Sequence, residues 1–177
     1  MAGCKAVLFD MDGVLVNSEP VITEAAIRAL REFGVEAAWS DFHQFTGMGE
    51  DRFIGGVAEL HGVPYRLEMK TRAYAIYQDI VDGMIEVYPG TLPLLRKLKE
   101  HGIPAALASS ADLVKVQANL KAAGIAEDLF AAIISGDDVA NKKPAPDIYI
   151  LAAKRCCYDP ADCVVVEDAV SGIRAAR

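Results

Sequence analysis

Lys5–Pro20, KAVLFDMDGVLVNSEP, is the stretch in which a continuous apolar run ends on two closely spaced acids. Ala6–Phe9 is apolar at every position, which is typical of a strand buried on both faces of a parallel sheet. Asp10 follows at the carboxyl end of that strand, where open α/β sheets bind their ligands. Asp12 comes two positions later, and Gly13 permits the sharp backbone path that brings both carboxylates to one cavity. The stretch therefore predicts an acidic site.

Two other interpretations of this stretch have to be weighed. Taken alone, Asp10–Gly13 fits equally well a strand followed by a turn in which an aspartate side chain bonds the backbone. A calcium loop fits less well, because Val14–Val16 occupy positions at which such a loop supplies oxygen ligands. The rest of the chain decides between a turn and a site.

Composition restricts the class of protein. A chain of 177 residues buries about 70% of its unfolded surface, enough for one core and a small accessory domain. No apolar run approaches the roughly 20 residues of a membrane span, and no signal-peptide pattern is present, so we expect a cytoplasmic protein without a membrane partner. The net charge of −7 argues against nucleic acid as a partner. The four cysteines lack metal-site spacing and are expected to be buried thiols.

Helical patterns fill residues 16–87. Predicted helices, separated by glycine and proline signals, run from Ser18 as N-cap to Phe33, from Ser40, over 50–61 and over 65–81. We expect no strand in this stretch. The pattern of residues 16–87 therefore predicts a helical insertion into a different fold.

Beyond the turn signal at 87–90, helices alternate with apolar strands. The predicted helices are 91–101, 112–123 and 146–156, and the predicted strands are 104–108, 131–134 and 163–166. With the first strand, this pattern predicts an α/β fold with four parallel strands in a Rossmann-like sheet.

Polar residues recur where these strands end. Ser109 and Ser110 end the second strand, the pair 142–143 (Lys-Lys) follows the third, and Glu167 and Asp168 end the fourth. Alone, such pairs are usually a helix cap, solvated lysines and an acidic first helical turn. Because the carboxyl ends of neighbouring parallel strands share one edge, we expect the pairs to converge with Asp10 on one crevice.

Four segments together resemble the motifs of the haloacid dehalogenase superfamily. They are FDMDGVLVNSEP (9–20), ALASSA (106–111), KPAPDIY (143–149) and VVVEDAVSGIRAA (164–176). The resemblance is to the phosphatase and β-phosphoglucomutase-like branch with a helical cap, and it covers nearly the whole chain. It implies a Rossmann-like core of residues 1–15 and 88–177 and a helical cap of residues 16–87.

The resemblance also implies roles for single residues. Asp10 would be the nucleophile, Asp12 the general acid and base, Ser109 a phosphate ligand and Lys143 the cation that balances charge. Lys142 has no counterpart in the motif and is expected to be a surface lysine. A carboxylate that attacks phosphorus forms an aspartyl-phosphate, which divides one hard displacement into two easier ones. We therefore expect a phosphoric monoester hydrolase whose substrate is a small phosphorylated metabolite.

The same resemblance implies a magnesium site. The ion would be held by Asp10, the backbone carbonyl of Asp12 and Asp168, with Glu167 acting directly or through water. Crowded carboxylates raise one another's pKa unless a cation holds them, so the cluster itself argues for a metal. Oxygen ligands with room for waters and a substrate phosphate suit Mg²⁺.

The cap loop supplies further candidates for substrate binding. Residues 47–52 resemble the loop that faces the active site in this branch, so Gly47 and Arg52 join Ser110 as expected substrate contacts. The alternative is an ordinary turn between helices with residues 50–52 in a solvated first helical turn.

Three alternatives to the phosphatase follow from these features. A phosphomutase is favoured by the segments EVYPG and ALAS, but Ile22 and Glu50 stand where the mutase carries a cap histidine and a cap arginine. Asp12 argues against a true dehalogenase, whose halide needs no proton. Phosphonate hydrolysis through a cap lysine lacks a candidate between Lys5 and Lys70.

A fourth and last alternative is a weakly active regulatory or scaffold domain. It rests on the end of the chain at Arg177, inside the helix after the fourth motif, whereas family members continue into another strand and helix. We accordingly expect strand 163–166 to have an uncovered edge. The oligomeric state is not indicated by the sequence.

Overall fold

Parallel strands form the central sheet of the computed structural model, which describes residues 4–177. Across this range the strands are β1 (Ala6–Phe9), β2 (Val16–Asn17), β3 (Glu86–Val87), β4 (Ala105–Ala108), β5 (Ala132–Ile134) and β6 (Cys163–Val166). The central sheet has the order β5-β4-β1-β6, and all its neighbours are parallel. The predicted α/β class with four parallel strands is confirmed.

Helices surround this sheet and fill the insertion. They are α1 (Glu19–Glu32), α2 (Trp39–Phe42), α3 (Glu50–Leu60), α4 (Leu67–Met84), α5 (Thr91–Glu100), α6 (Leu113–Ala122), α7 (Asp147–Arg155) and α8 (Val170–Ala176). Short 3-10 turns occur at His43–Phe45, Glu127–Leu129, Gly136–Asp138 and Pro160–Asp162. The sequence pattern did not indicate these turns, because three residues carry no periodicity.

The register of the sheet aligns the strand ends. Phe9, the last residue of β1, is level with Leu107 of β4 and with Val166 of β6. The next peptide continues the ladder, since the N–H of Asp10 donates to the carbonyl of Val166 at 3.0 Å. Acidic residues that follow β1 and β6 therefore emerge side by side at one edge of the sheet.

The chain divides into two compact units, each with its own core. One comprises the chain up to Asn17 together with Glu86–Arg177, and the other comprises Ser18–Ile85. In the second unit, α1 packs against α4, and Leu30 and Tyr77 are fully buried. In the first, helix α7 covers β1, β4 and β5.

A two-stranded antiparallel ladder corrects the expectation that residues 16–87 hold no strand. Val16 of β2 is level with Val87 of β3, and Asn17 with Glu86. Beside it, the buried hydroxyl of Thr91 donates to the carbonyl of Leu15 at 2.7 Å. Strands of two residues show no alternation in the sequence, so their pairing was invisible until the chain was folded.

Two smaller expectations are also corrected. Ser18 stands at the N-cap of α1, but its side chain makes no capping hydrogen bond. All four cysteines are free, yet only Cys156 is buried, while Cys4 and Cys157 are exposed and Cys163 is intermediate. Across residues 4–177, no helix is long and apolar enough to cross a membrane.

Strand β6 lies at one edge of the central sheet. Among the described residues, the strand order β5-β4-β1-β6 leaves it with one unpaired edge, as expected. Val164 and Val166, which share one face of the sheet, are 47% and 37% exposed.

The buried strand β4 supports a stability prediction. Leu107→Ala should lower the free energy of unfolding by about 2–5 kcal/mol, because Leu107 is fully buried and its loss leaves a cavity. Leu94→Ala, the same change at a 45% exposed position of α5, should cost about 0.5 kcal/mol or less. Urea unfolding of both variants tests this, and equal losses would contradict the burial of β4.

Candidate active site

A buried lysine joins two acids at the carboxyl ends of β1 and β6. The ammonium nitrogen of Lys143 lies 2.5 Å from Oδ1 of Asp10 and 2.6 Å from Oε2 of Glu167. The side chains of all three are nearly inaccessible to solvent. Burying so many charges is costly unless each is paired, so this arrangement holds only because the lysine lies between the carboxylates. The lysine directly before proline and two of the predicted acids thus meet in space.

Tyr149 is a fourth member of this cluster that sequence reasoning missed. Its hydroxyl donates a short hydrogen bond to Oε2 of Glu167, and its ring lies 4.8 Å from the ammonium of Lys143. Burial and the bond to Glu167 raise the pKa of Tyr149, so the hydroxyl stays a donor. The signal was available, because Tyr149 follows Lys143 within one motif and lies in the first turn of α7.

Glu167 is held by partners on both oxygens. Oε1 accepts from the backbone N–H of Ala169 at 3.1 Å, and Oε2 accepts from Lys143 and Tyr149. Burial acts to raise the pKa of Glu167, but the hydrogen bonds from Lys143 and Tyr149 outweigh it, and the pKa is lowered. The side chain therefore stays charged and anchors the lysine. Gly172 is required here, because a Cβ at that position would overlap the Glu167 carboxylate.

Asp10 has the opposite shift. Burial raises its pKa to about 7, the charge of Lys143 opposes the rise and the charge of Glu167 adds to it. A carboxylate that is difficult to ionise in the metal-free protein gains most from a cation brought beside it.

The three acids at this edge form a group that could hold a metal ion. Asp10, Glu167 and Asp168 each offer one carboxylate oxygen within 4.8 Å of the others. Asp168 is exposed as a whole residue, but partial removal of its carboxyl group from water and the charge of Glu167 raise its pKa. Gly13, at φ +81°, brings backbone so close to Asp168 that a Cβ would overlap the carboxylate. Hard oxygen donors of this kind suit a divalent cation.

Asp12 meets a lysine that the sequence analysis did not single out. The ammonium of Lys115, on α6, lies 2.8 Å from Oδ2 of Asp12, and only 5% of Lys115 is exposed. One turn later, the buried amide of Asn119 donates to the sulfur of Met11 at 3.2 Å. The available signal was a pair of polar residues four apart, Lys115 and Asn119, in a helix whose buried face includes Val116.

The serines follow β4 as expected. Ser109 is buried at the carboxyl end of this strand, and its hydroxyl accepts from the N–H of Ala111 at 3.2 Å. The carbonyl of Ser110 lies so close to Gly136 that a Cβ there would overlap it. Their roles toward a phosphate stay predictions.

Lys142 and the cap residues have partners of their own. Lys142 is partly exposed and lies 3.5 Å from Asp112, as suits a surface lysine. In the helical unit, Arg52 pairs with Glu59 at 2.7 Å and lies 5.1 Å from the Phe45 ring centroid. Gly47 is exposed, at φ +76°. Substrate binding by Gly47 and Arg52 stays a prediction.

The cap alternative of a solvated helical turn is wrong at one position. Glu50, the first residue of α3, is buried. The neighbouring Asp51 accepts from Tyr65 at 2.5 Å and from Lys70 at 2.8 Å. The first turn of α3 is therefore partly built into the helical unit.

The family model described as haloacid dehalogenase-like hydrolase matches residues 4–177. The chain belongs to the haloacid dehalogenase-like hydrolase family. The predicted family is thereby confirmed.

Several known proteins resemble the chain over nearly all its length. It is 46% identical over 98% of its length to protein SUPPRESSOR OF QUENCHING 1, chloroplastic, of Arabidopsis thaliana, and 32% identical over 96% to hexitol phosphatase A of Escherichia coli. The crystal structure of CbbY from Rhodobacter sphaeroides with phosphate superposes with a TM-score of 0.88 at 28% identity, covering 98% of this chain and 81% of CbbY.

The chain is short beside some of these relatives. It spans 17% of the length of the Arabidopsis protein, 46% of a second plant relative and 77% of the hexitol phosphatase. Because the relative at 46% identity is named chloroplastic, the cytoplasmic location stays a prediction.

The raised pKa of Asp10 predicts pH-dependent metal binding. Below about pH 7 this carboxyl is protonated in the metal-free protein, and a protonated carboxyl is not a ligand. The apparent affinity for Mg²⁺ should therefore fall as the pH drops from 8 to 6, approaching roughly tenfold per unit. Calorimetric titration at three pH values measures this, and equal affinity at pH 6 and 8 would contradict it.

Gly13 supports a matched pair of variants. Gly13→Ala and Gly34→Ala both place a side chain at φ +81°, so each should cost about 1–2 kcal/mol of stability. At Gly34 there is open space, whereas at Gly13 the methyl group would displace Asp168. Only Gly13→Ala should weaken Mg²⁺ binding, by about tenfold or more, because it displaces an expected ligand of the ion. Similar affinities for the two variants would remove Asp168 from the metal site.

Proposed function

We propose that this chain is the catalytic unit of a Mg²⁺-dependent phosphatase that hydrolyses small phosphate monoesters through an aspartyl-phosphate. The observation that carries the proposal is the buried contact of Lys143 with Asp10 and Glu167. The names of two similar proteins support it, since one is a hexitol phosphatase and the other binds phosphate in its crystal.

Asp10 is the nucleophile in this proposal. One of its carboxylate oxygens bonds to phosphorus while the bond from phosphorus to the ester oxygen breaks. The ammonium of Lys143, 2.5 Å from Asp10, would face the phosphoryl oxygens on which negative charge builds up. Preorganised charge of this kind is usually the largest single contribution to catalysis. Glu167 and Tyr149 keep the lysine there.

Asp12 moves the protons. In its acid form it gives a proton to the leaving ester oxygen, which departs as an alcohol. The resulting carboxylate then takes a proton from water, whose oxygen attacks phosphorus and releases phosphate with Asp10 restored. Proton transfer of this kind is typically worth about 10²–10⁴ in rate.

The acidic group fits the metal that the family uses. Asp10, Asp168 and the backbone carbonyl of Asp12 would hold Mg²⁺, because these are hard oxygen donors and the carboxylates of the first two lie within one ligand sphere. When bound, Mg²⁺ supplies positive charge that neutralises the carboxylates and the phosphoryl oxygens. Glu167 contributes to the charge of the site and, through its bonds to Lys143 and Tyr149, to the position of the lysine.

A phosphomutase is the second candidate, favoured by the segments EVYPG and ALAS. Ile22 and Glu50 count against it, because transfer back to a sugar needs groups that hold a bisphosphate and exclude water. Neither an aliphatic side chain nor a buried carboxylate attracts a second phosphate.

Turnover of 4-nitrophenyl phosphate tests the phosphatase. With Mg²⁺ we expect phosphate release that EDTA abolishes, and Asp10→Asn and Lys143→Met should each lower kcat by about 10³-fold or more, since they remove the nucleophile and the charge on the phosphoryl group. Asp128→Asn, at an exposed carboxylate paired with Lys99, is the matched control and should keep full activity.

Three results would contradict parts of the proposal. Activity that survives in Asp10→Asn removes the nucleophile. Bisphosphate-dependent isomerisation of a sugar phosphate that exceeds phosphate release identifies a mutase. A folded protein that binds Mg²⁺ but turns over no member of a panel of phosphate esters is the regulatory domain of the last alternative.

A further inference from the structure

We infer that Lys115 is a positioning residue that orients the carboxylate of Asp12 for proton transfer to the leaving group. The inference rests on the proposed phosphatase function and adds to it a residue from outside the four motifs. Lys115 belongs to helix α6, which follows the serines of the second motif.

Burial is the first argument. Lysine is almost never fully buried unless it is paired, and Lys115 is 5% exposed with its ammonium 2.8 Å from Oδ2 of Asp12. An ordinary surface ion pair would leave the ammonium in water, as it does for Lys142 beside Asp112. Desolvation of Lys115 therefore ties its position to a specific carboxylate oxygen.

Geometry is the second argument. Helix α6 contacts two successive residues of the loop that follows β1. Lys115 donates to Asp12, and one turn later Asn119 donates to the sulfur of Met11. Two anchors four residues apart hold the loop from one side. A bond to one carboxylate oxygen restricts rotation of the group and thereby sets the direction of the other oxygen.

The two buried lysines have separate tasks in this arrangement. Lys143 contacts Asp10 and Glu167, and Lys115 contacts Asp12. Loss of Lys143 should impair every substrate alike, because every substrate presents a phosphoryl group. Loss of Lys115 should impair substrates according to how much their leaving group needs a proton.

The test compares kcat/KM for phenyl phosphate, whose phenolate is a poor leaving group, with kcat/KM for 2,4-dinitrophenyl phosphate, whose dinitrophenolate departs without protonation. This parameter reports the steps through departure of the leaving group and excludes hydrolysis of the aspartyl-phosphate. Lys115→Met should lower it about 10²-fold for phenyl phosphate and about 3-fold or less for the dinitrophenyl ester. Lys115→Arg should recover part of the loss, and Lys142→Met, the matched control, should change neither value.

Each outcome has one meaning. Equal losses on the two esters in Lys115→Met, with an active wild-type protein, overturn the inference and leave the phosphatase intact. A wild-type protein that hydrolyses neither ester overturns the proposed function, and the inference with it. Should Lys115→Met fail to fold, Lys115→Ala, which also removes the donor to Asp12, carries the same comparison, and an unchanged ratio of the two kcat/KM values in that variant also overturns the inference.

Discussion

The ion pairs of Lys143 with Asp10 and Glu167 are the interaction on which the acidic edge of the sheet depends. Carboxylates emerge side by side from β1 and β6 because the two strands are parallel and in register. Without a cation, their mutual repulsion and their removal from water would drive them to the neutral form. A lysine brought in from the loop after β5 keeps Glu167 charged and limits the rise in the pKa of Asp10.

This balance leaves the two acids with different properties. Glu167 accepts bonds on both oxygens and has a lowered pKa, whereas Asp10 has a raised pKa because burial outweighs the charge of Lys143. A group that is fully bonded and charged is suited to holding its neighbours in place. A group that is destabilised in its charged form is suited to bind a cation or to attack an electrophile, because either event relieves the cost of its burial.

Much of the fold was predictable because its strands are long enough to show an uninterrupted apolar run. Ala6–Phe9 and Cys163–Val166 have the bounds that their composition indicated. The two-residue ladder of β2 and β3 was not predictable, because its stability comes from pairing between distant segments, Val16 with Val87 and Asn17 with Glu86, rather than from local pattern. The cysteines were misjudged for a related reason: residue type predicts average burial, whereas position in the fold decides the burial of each one.

The sequence by itself determined the family, the parallel sheet and the acids that follow its strands, since these depend on local composition and on motifs that can be recognised in one dimension. The tertiary structure alone decided which charges meet. The spacing of Lys115 and Asn119 indicates a polar helix face, but it does not identify Asp12, 103 residues away, as the partner of Lys115. The motif that contains Tyr149 likewise does not identify Glu167 as its acceptor. Such pairs are set by helix packing and sheet register, which act over distances that a sequence pattern does not span.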